Sequence, residues 1–211
     1  MPTDNDPYAT PQVDLLDAHA PSLDGWSAAQ LRMLGWLTLV SVLGSVVITV
    51  IALVYGFEEQ AGLLTVNNWL SSALIILGCY LLIRLKRFAE QRFLATRLDW
   101  PVWSVIIGSL VLGALDLLWG TKTAEVGWQM FSYFGLLSVY GVALAWLGIR
   151  LRQVQNAYPV FRLMAWLDII GGLMLVSVIL MVLAMLPLIG ANLALALVFF
   201  RAAKELSRSG A

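Results

Sequence analysis

The chain has 211 residues, 60% of them hydrophobic and 12% charged, with as many acidic as basic side chains, and its mean hydropathy is +0.83. That balance lies outside the usage of water-soluble domains, leaves no stretch for a second, soluble domain, and gives no reason to expect a nucleic-acid partner. The single cysteine, Cys79, excludes an intramolecular disulfide or a CxxC pair, and the single histidine, His19, excludes a histidine cluster for haem or zinc.

Residues 1–26 carry Pro2, Pro7, Pro11 and Pro21 and the aspartates 4, 6, 14, 17 and 24, with no Lys or Arg, and read as a disordered acidic tail. They lack the basic start and early apolar core of a secretory signal, so no cleaved leader is expected. The stretch Asp6-Pro7-Tyr8-Ala9-Thr10-Pro11-Gln12-Val13-Asp14-Leu15 resembles the NPYxxPxxxL opening of many proteobacterial multi-pass membrane proteins of unknown function, with Asp6 in place of the usual Asn. The resemblance covers about ten residues; it implies a bacterial inner membrane and no activity.

A transmembrane domain over residues 27–207 follows, with a short tail at 208–211. Ser27 and Gln30 have the spacing of a capping box, which places the start of the first helix there. The uncharged residues 33–57 would span about 37 Å as a helix, against a hydrocarbon core of about 30 Å. Uncharged runs between Glu59 and Arg84 and between Glu125 and Arg150 give helices two and four. Trp100 to Gly120 gives helix three, interrupted only by Asp116.

Helix five is expected to begin near Leu163. The uncharged residues 169–200 would then extend about 48 Å, too long for one span, so the chain must fold back. Pro187 and Gly190 are the strong breakers there and predict a tight turn. It leads to a shorter sixth helix from about Ala191, which reaches the interface only if Arg201 and Lys204 snorkel. The fold class is thus an all-α membrane protein of six transmembrane helices, arranged as three hairpins. Every basic residue except Lys122 falls on one side of this arrangement, which by the positive-inside rule puts both termini in the cytoplasm.

The helices carry an internal echo. Trp36–Gly56 aligns without gaps on Trp100–Gly120, matching Gly44 with Gly108 and Ser45 with Ser109, and Gly171-Gly172 stands where Gly44-Ser45 would in a third copy. Small residues four apart, such as Ser41, Ser45 and Thr49 or Gly141 and Ala145, allow close helix approach. Packing within the bundle is the leading use of such faces; contact with a second copy or another membrane protein is the alternative. The tryptophans gather near the span ends, as in an aromatic belt.

Asp116 and Asp168 are the two acids inside the spans and form the candidate intramembrane polar site. Asp116 lies one turn from the outer end of helix three, where Asn67, Asn68 or Asn192 are candidate partners. Asp168 lies little more than one turn inside the cytoplasmic start of helix five, near Arg150 and Arg162. A membrane aspartyl protease would need the two carboxyls together, but their depths differ by about 15 Å and the GxGD signature is missing. Catalytic, cofactor-binding and metal-ligating residues are therefore not expected. The leading reading is a non-catalytic accessory, assembly or envelope component of the inner membrane, held in the lipid bilayer. The alternative is a small transporter or channel that uses Asp116 as a proton or cation contact.

Overall fold

The computed structural model describes residues 25–55, 61–120 and 127–209. The acidic tail up to Asp24, Lys122 and the loops at 56–60 and 121–126 lie outside the described residues. Within them the regular structure is helical: α1 Ala28–Tyr55, α2 Ala61–Phe93, α3 Asp99–Trp119, α4 Trp128–Arg152, α5 Pro159–Val176 and α6 Met181–Ser209. All six are long and apolar enough to cross a membrane, so the chain is a multi-pass membrane protein. In lipid the backbone must satisfy its own polar groups, and a run of helices does so.

Local chemistry sets the boundaries. The capping box forms: Gln30 N–H donates to Ser27 Oγ at 3.1 Å, and Ser27 N–H donates to Gln30 Oε1 at 3.2 Å. Proline begins α5 at Pro159, where the missing N–H costs no helical bond. That start is four residues earlier than the sequence suggested, and it moves every α5 residue deeper.

The reversal between α5 and α6 corrects the expected turn at Pro187 and Gly190. It occurs at Ser177, followed by a single 3-10 turn at Val178–Leu180. Ser177 N–H donates to Leu173 O, and Leu180 N–H closes the turn onto Ser177 O at 2.8 Å. The Ser138 hydroxyl on α4 donates to Val176 O at 3.4 Å, occupying a carbonyl that the helix end leaves open. Pro187 instead sits inside α6, where lipid-embedded helices tolerate proline. Because α6 begins at Met181, the uncharged residues 181–200 cover about 30 Å. They span a bilayer without snorkelling by Arg201 or Lys204.

Each helix packs against its neighbours in sequence and α6 returns to pack against α1, closing the six into a ring. The ring is tight at one end. There Leu31, Leu34, Leu85, Phe88, Leu98, Leu151, Phe161 and Phe199 are almost fully buried. Phe88 of α2 meets Phe199 of α6 edge to face at 5.9 Å, and Phe93 meets Phe161 at 5.2 Å, so aromatic rings fill the centre of this end. Toward the other end the inward residues of α1, α2 and α4, such as Ser45, Thr49, Ser71, Leu74 and Tyr133, stay partly exposed.

The tight end is also the basic end, and a polar knot ties three elements there. Tyr158 hydrogen-bonds Glu205 of α6 and accepts a bond from Arg92 Nε of α2 at 3.3 Å. Arg92 pairs with Glu205 at 3.2 Å, and the Arg201 guanidinium lies 5.0 Å over the Tyr158 ring. Burial, reinforced by the bond to Glu205, holds the Tyr158 phenol above its usual pKa. It therefore remains a neutral donor to Glu205 at physiological pH. Lys86 bridges α2 to Asp99 at the start of α3.

Glycine decides the closest contacts. A Cβ on Gly172 would lie 2.6 Å from Ala145 N and from Gly141 O, and one on Gly148 would lie 2.7 Å from Ala165 O. At the α4–α5 seam backbone therefore meets backbone, and the small residues are spent on packing inside the bundle. Gly44 receives Leu74, Gly108 receives Tyr140 and Gly171 receives Leu188. In each case the side chain comes from the following helix, which is the pattern an internal threefold echo requires.

The seam and the corrected turn give one paired expectation. Gly172→Val should lower the thermal unfolding midpoint of the purified protein, by the equivalent of about 2 kcal/mol or more, because the backbone it strikes cannot give way. Pro187→Ala should leave the midpoint unchanged or raise it, since it restores a helical N–H donor. Tryptophan fluorescence melts in detergent read both. A collapse with Pro187→Ala alone would return the turn to that position.

Candidate functional site

The inward face of each helix follows from which positions are buried. On α5 the buried residues Phe161, Met164, Ala165, Ile169, Gly171, Gly172 and Leu175 form one stripe, and Asp168 falls in its middle. The lipid-facing side carries Leu163, Trp166, Ile170 and Leu173. On α4 the stripe of Gly141, Leu144, Ala145, Leu147, Gly148 and Leu151 includes Tyr140 at its edge. On α3 the stripe of Val102, Val105, Ile106 and Leu112 leads to Asp116 four residues further on.

The earlier start of α5 changes the depth of Asp168. It lies nine residues from Pro159, about 13 Å along the axis, and almost as far from the other helix end. Asp168 is therefore a mid-helix carboxyl rather than an interfacial one. Neither Arg150 nor Arg162 satisfies it: Arg150 donates to Gln153 and Arg162 is exposed. Among the described residues Asp168 makes no hydrogen bond or ion pair, and the polar group within electrostatic reach is Tyr140. The Tyr140 ring packs against Gly108 of α3, with Cδ2 nearest, and Cys79 is near enough to interact with it as well. Cys79 Sγ stands 3.6 Å from Ser109 Oγ. Four helices thus bring Cys79, Ser109, Tyr140 and Asp168 to one level of the ring.

Asp116 has an analogous neighbour. It is exposed near the looser end of α3, with Tyr133 of α4 within electrostatic reach. Tyr133 and Tyr140 are seven residues apart, two turns and about 10 Å along the same face of α4. The two candidate aspartates are not brought together. Each stands beside its own tyrosine, one pair at mid-depth and one toward the looser end.

The expected asparagine partners of Asp116 do not engage it. Asn192 is mid-helix, because α6 starts ten residues earlier than expected, and it donates to Leu188 O at 3.0 Å. Asn67 keeps a buried Oδ1 without a partner. Asn68 lines a cleft with Trp69, Ser72 and Leu117. The tyrosines were missed because the sequence reading looked for charge. Their spacing of seven on one helix is the signal that could have found them.

Chemically, a mid-membrane carboxyl beside a phenol can hold a proton or a partly dehydrated cation, with the hydroxyl as donor or ligand. Among the described residues no group of three or more metal-ligating side chains gathers. Because Asp168 has no hydrogen-bond or ion-pair partner among the described residues, Asp168→Asn should keep the unfolding midpoint within the equivalent of about 1 kcal/mol of the parent, or raise it. A loss well beyond that, in the same fluorescence melt, would show that the carboxylate holds the bundle together.

No protein-family model matches the chain, and no curated protein and no solved structure is significantly similar to it.

Proposed function

We propose that this protein is a small inner-membrane transporter or channel of the bacterial cytoplasmic membrane that moves a proton or cation through the ring interior. Its helices form three hairpins with both termini in the cytoplasm. Asp168, assisted by Tyr140, is the central contact; Asp116, with Tyr133, is the contact toward the periplasmic end. The single observation that carries this reading is the mid-helix, inward-facing Asp168 with no ion pair or hydrogen bond among the described residues. Packing does not require such a group, and lipid makes it expensive to keep. The weight therefore passes from Asp116 to Asp168.

The accessory reading drew on small-residue faces as surfaces for partners. Gly44, Gly108, Gly113, Gly141, Gly148, Gly171 and Gly172 are occupied by neighbouring helices of the same chain, which removes that support. The acidic tail remains in its favour, as a segment suited to a cytoplasmic partner. Under that reading neither aspartate matters for function.

Proteoliposomes loaded with a pH-sensitive dye, or with a cation indicator, separate the two. Wild-type protein should dissipate an imposed gradient. Asp168→Asn should reduce the rate at least tenfold at equal protein density, and Asp116→Asn should slow it less. Equal rates for wild type and Asp168→Asn would end the transport reading. For topology, reporter fusions after Gly56 and Gly120 should report the periplasm and a fusion at Ala211 the cytoplasm, because the basic loops then stay inside. A periplasmic signal from Ala211 would overturn the orientation.

A further inference from the structure

At the basic end the loops 94–98 and 153–158 and the last turns of α6 line a basin of about 1060 Å³. Its charged lining is Arg92, Arg97, Arg150 and Arg201 against the single acid Glu205. Glu205 is already engaged by Arg92 and Arg201. Arg97 and Arg150 have no carboxylate within ion-pair distance among the described residues, and Arg150 makes one bond, to the neutral Gln153. An excess of cationic donors therefore faces one concave space.

The backbone adds to it. α5 starts at this basin with Tyr158 and Pro159 in the lining. The helix has no side-chain cap, so the positive end of its dipole lies at the same volume. The opposing helix ends are closed by their own chain. Gln153 N–H donates to the carbonyls of Ile149 and Arg150, and Ala95 N–H donates to Ala89 O. Leu94, Arg97 and Asn156 have φ of 51°, 62° and 56°, and all three line the basin. Left-handed backbone at Leu and Arg carries a conformational cost. Here it bends both loops around the cavity.

The position fits a membrane-surface ligand. α2 is 33 residues long, about 50 Å against a hydrocarbon core of about 30 Å. Its basic end therefore projects into the headgroup layer, and the basin sits beside that end. Planar guanidinium groups match phosphate oxygens in pairs, and basic pockets between transmembrane helices hold anionic headgroups.

We propose that this basin is a binding site for a phosphate-ester anion, supplied by the headgroup of an anionic phospholipid. Arg97 and Arg150 are its direct ligands, the dipole of α5 adds positive potential at its N-terminus, and Arg201, stacked on Tyr158, forms the wall. The site is independent of the interior aspartates and of any transport activity.

The test uses full-length protein purified in a zwitterionic detergent, with the unfolding midpoint followed by tryptophan fluorescence. A ligand that binds the folded state raises the midpoint in a concentration-dependent way. Phosphatidylglycerol should raise it, and phosphatidylcholine should not. In Arg97→Gln/Arg150→Gln the half-saturating phosphatidylglycerol fraction should rise about tenfold or more, with the lipid-free midpoint unchanged, because neither arginine holds an acid. Arg150→Gln alone, which leaves the left-handed position at Arg97 untouched, should give a smaller shift in the same direction. Arg32→Gln/Arg208→Gln, at the same end but outside the lining, should respond like the wild type. Inorganic phosphate is a separate arm: stabilisation by phosphate, lost in Arg97→Gln/Arg150→Gln, with no lipid effect would keep the phosphate site and assign it to a soluble ligand. Equal lipid and phosphate responses in wild type and Arg97→Gln/Arg150→Gln, or no response to either ligand, would overturn the proposal.

Discussion

The structure hangs on the seam between α4 and α5, where glycine lets one backbone touch another. Lipid offers no hydrophobic drive between helices, so contact must come from fit, and the smallest residues give the nearest fit. Gly141 follows Tyr140 directly, and Gly172 lies one turn beyond Asp168. The glycines that bring the helices together thus also set the height at which phenol and carboxyl come within electrostatic reach. Widening the seam by one methyl group would shift both partners. The acid site is therefore a consequence of the packing rather than an addition to it.

The ring is uneven along its length, and the unevenness has a simple origin. At the basic end, large side chains from all six helices converge and the knot around Tyr158 holds α2, α6 and the loop before α5. At the other end the inward positions of α1 are serine, threonine and valine, and α2 offers serine and asparagine. Such side chains fill less of the centre. One end is closely packed and the other leaves its inward positions partly open.

Much of this was legible in the residues. Charge-free runs located the helices, the Ser27 and Gln30 pair located the first cap, and the two acids within spans were visible as exceptions. The turn after α5 was misplaced because proline and glycine were read with the rules of water, where they end helices. In lipid Pro187 is accommodated within α6, and the weak polar signal of Ser177, the sole hydroxyl in a long apolar run, marks the reversal. The depth of Asp168 was hidden separately, since a helix starting at Leu163 rather than Pro159 puts that carboxyl near the surface. The spacing of Tyr133 and Tyr140 was visible in the sequence, but not that each would stand near an aspartate. That placement depends on which face of α4 turns inward, and that follows from the glycine seam.

The contact between α1 and α6 also bears on how the protein is made. A ring whose first and last members touch cannot close until the final helix has left the ribosome and entered the bilayer. Until then the face of α1 that carries Thr38 and Ser41 stands against lipid. Thr38 is suited to that wait, because its hydroxyl donates to the Leu34 carbonyl of its own helix at 2.8 Å and needs no outside partner. Gly35 keeps an open notch that the Phe200 ring fills on arrival, with Trp36 meeting the same ring edge to face at 5.8 Å. The last apolar residue before the basic end of α6 thus completes a closure that only the final helix can make.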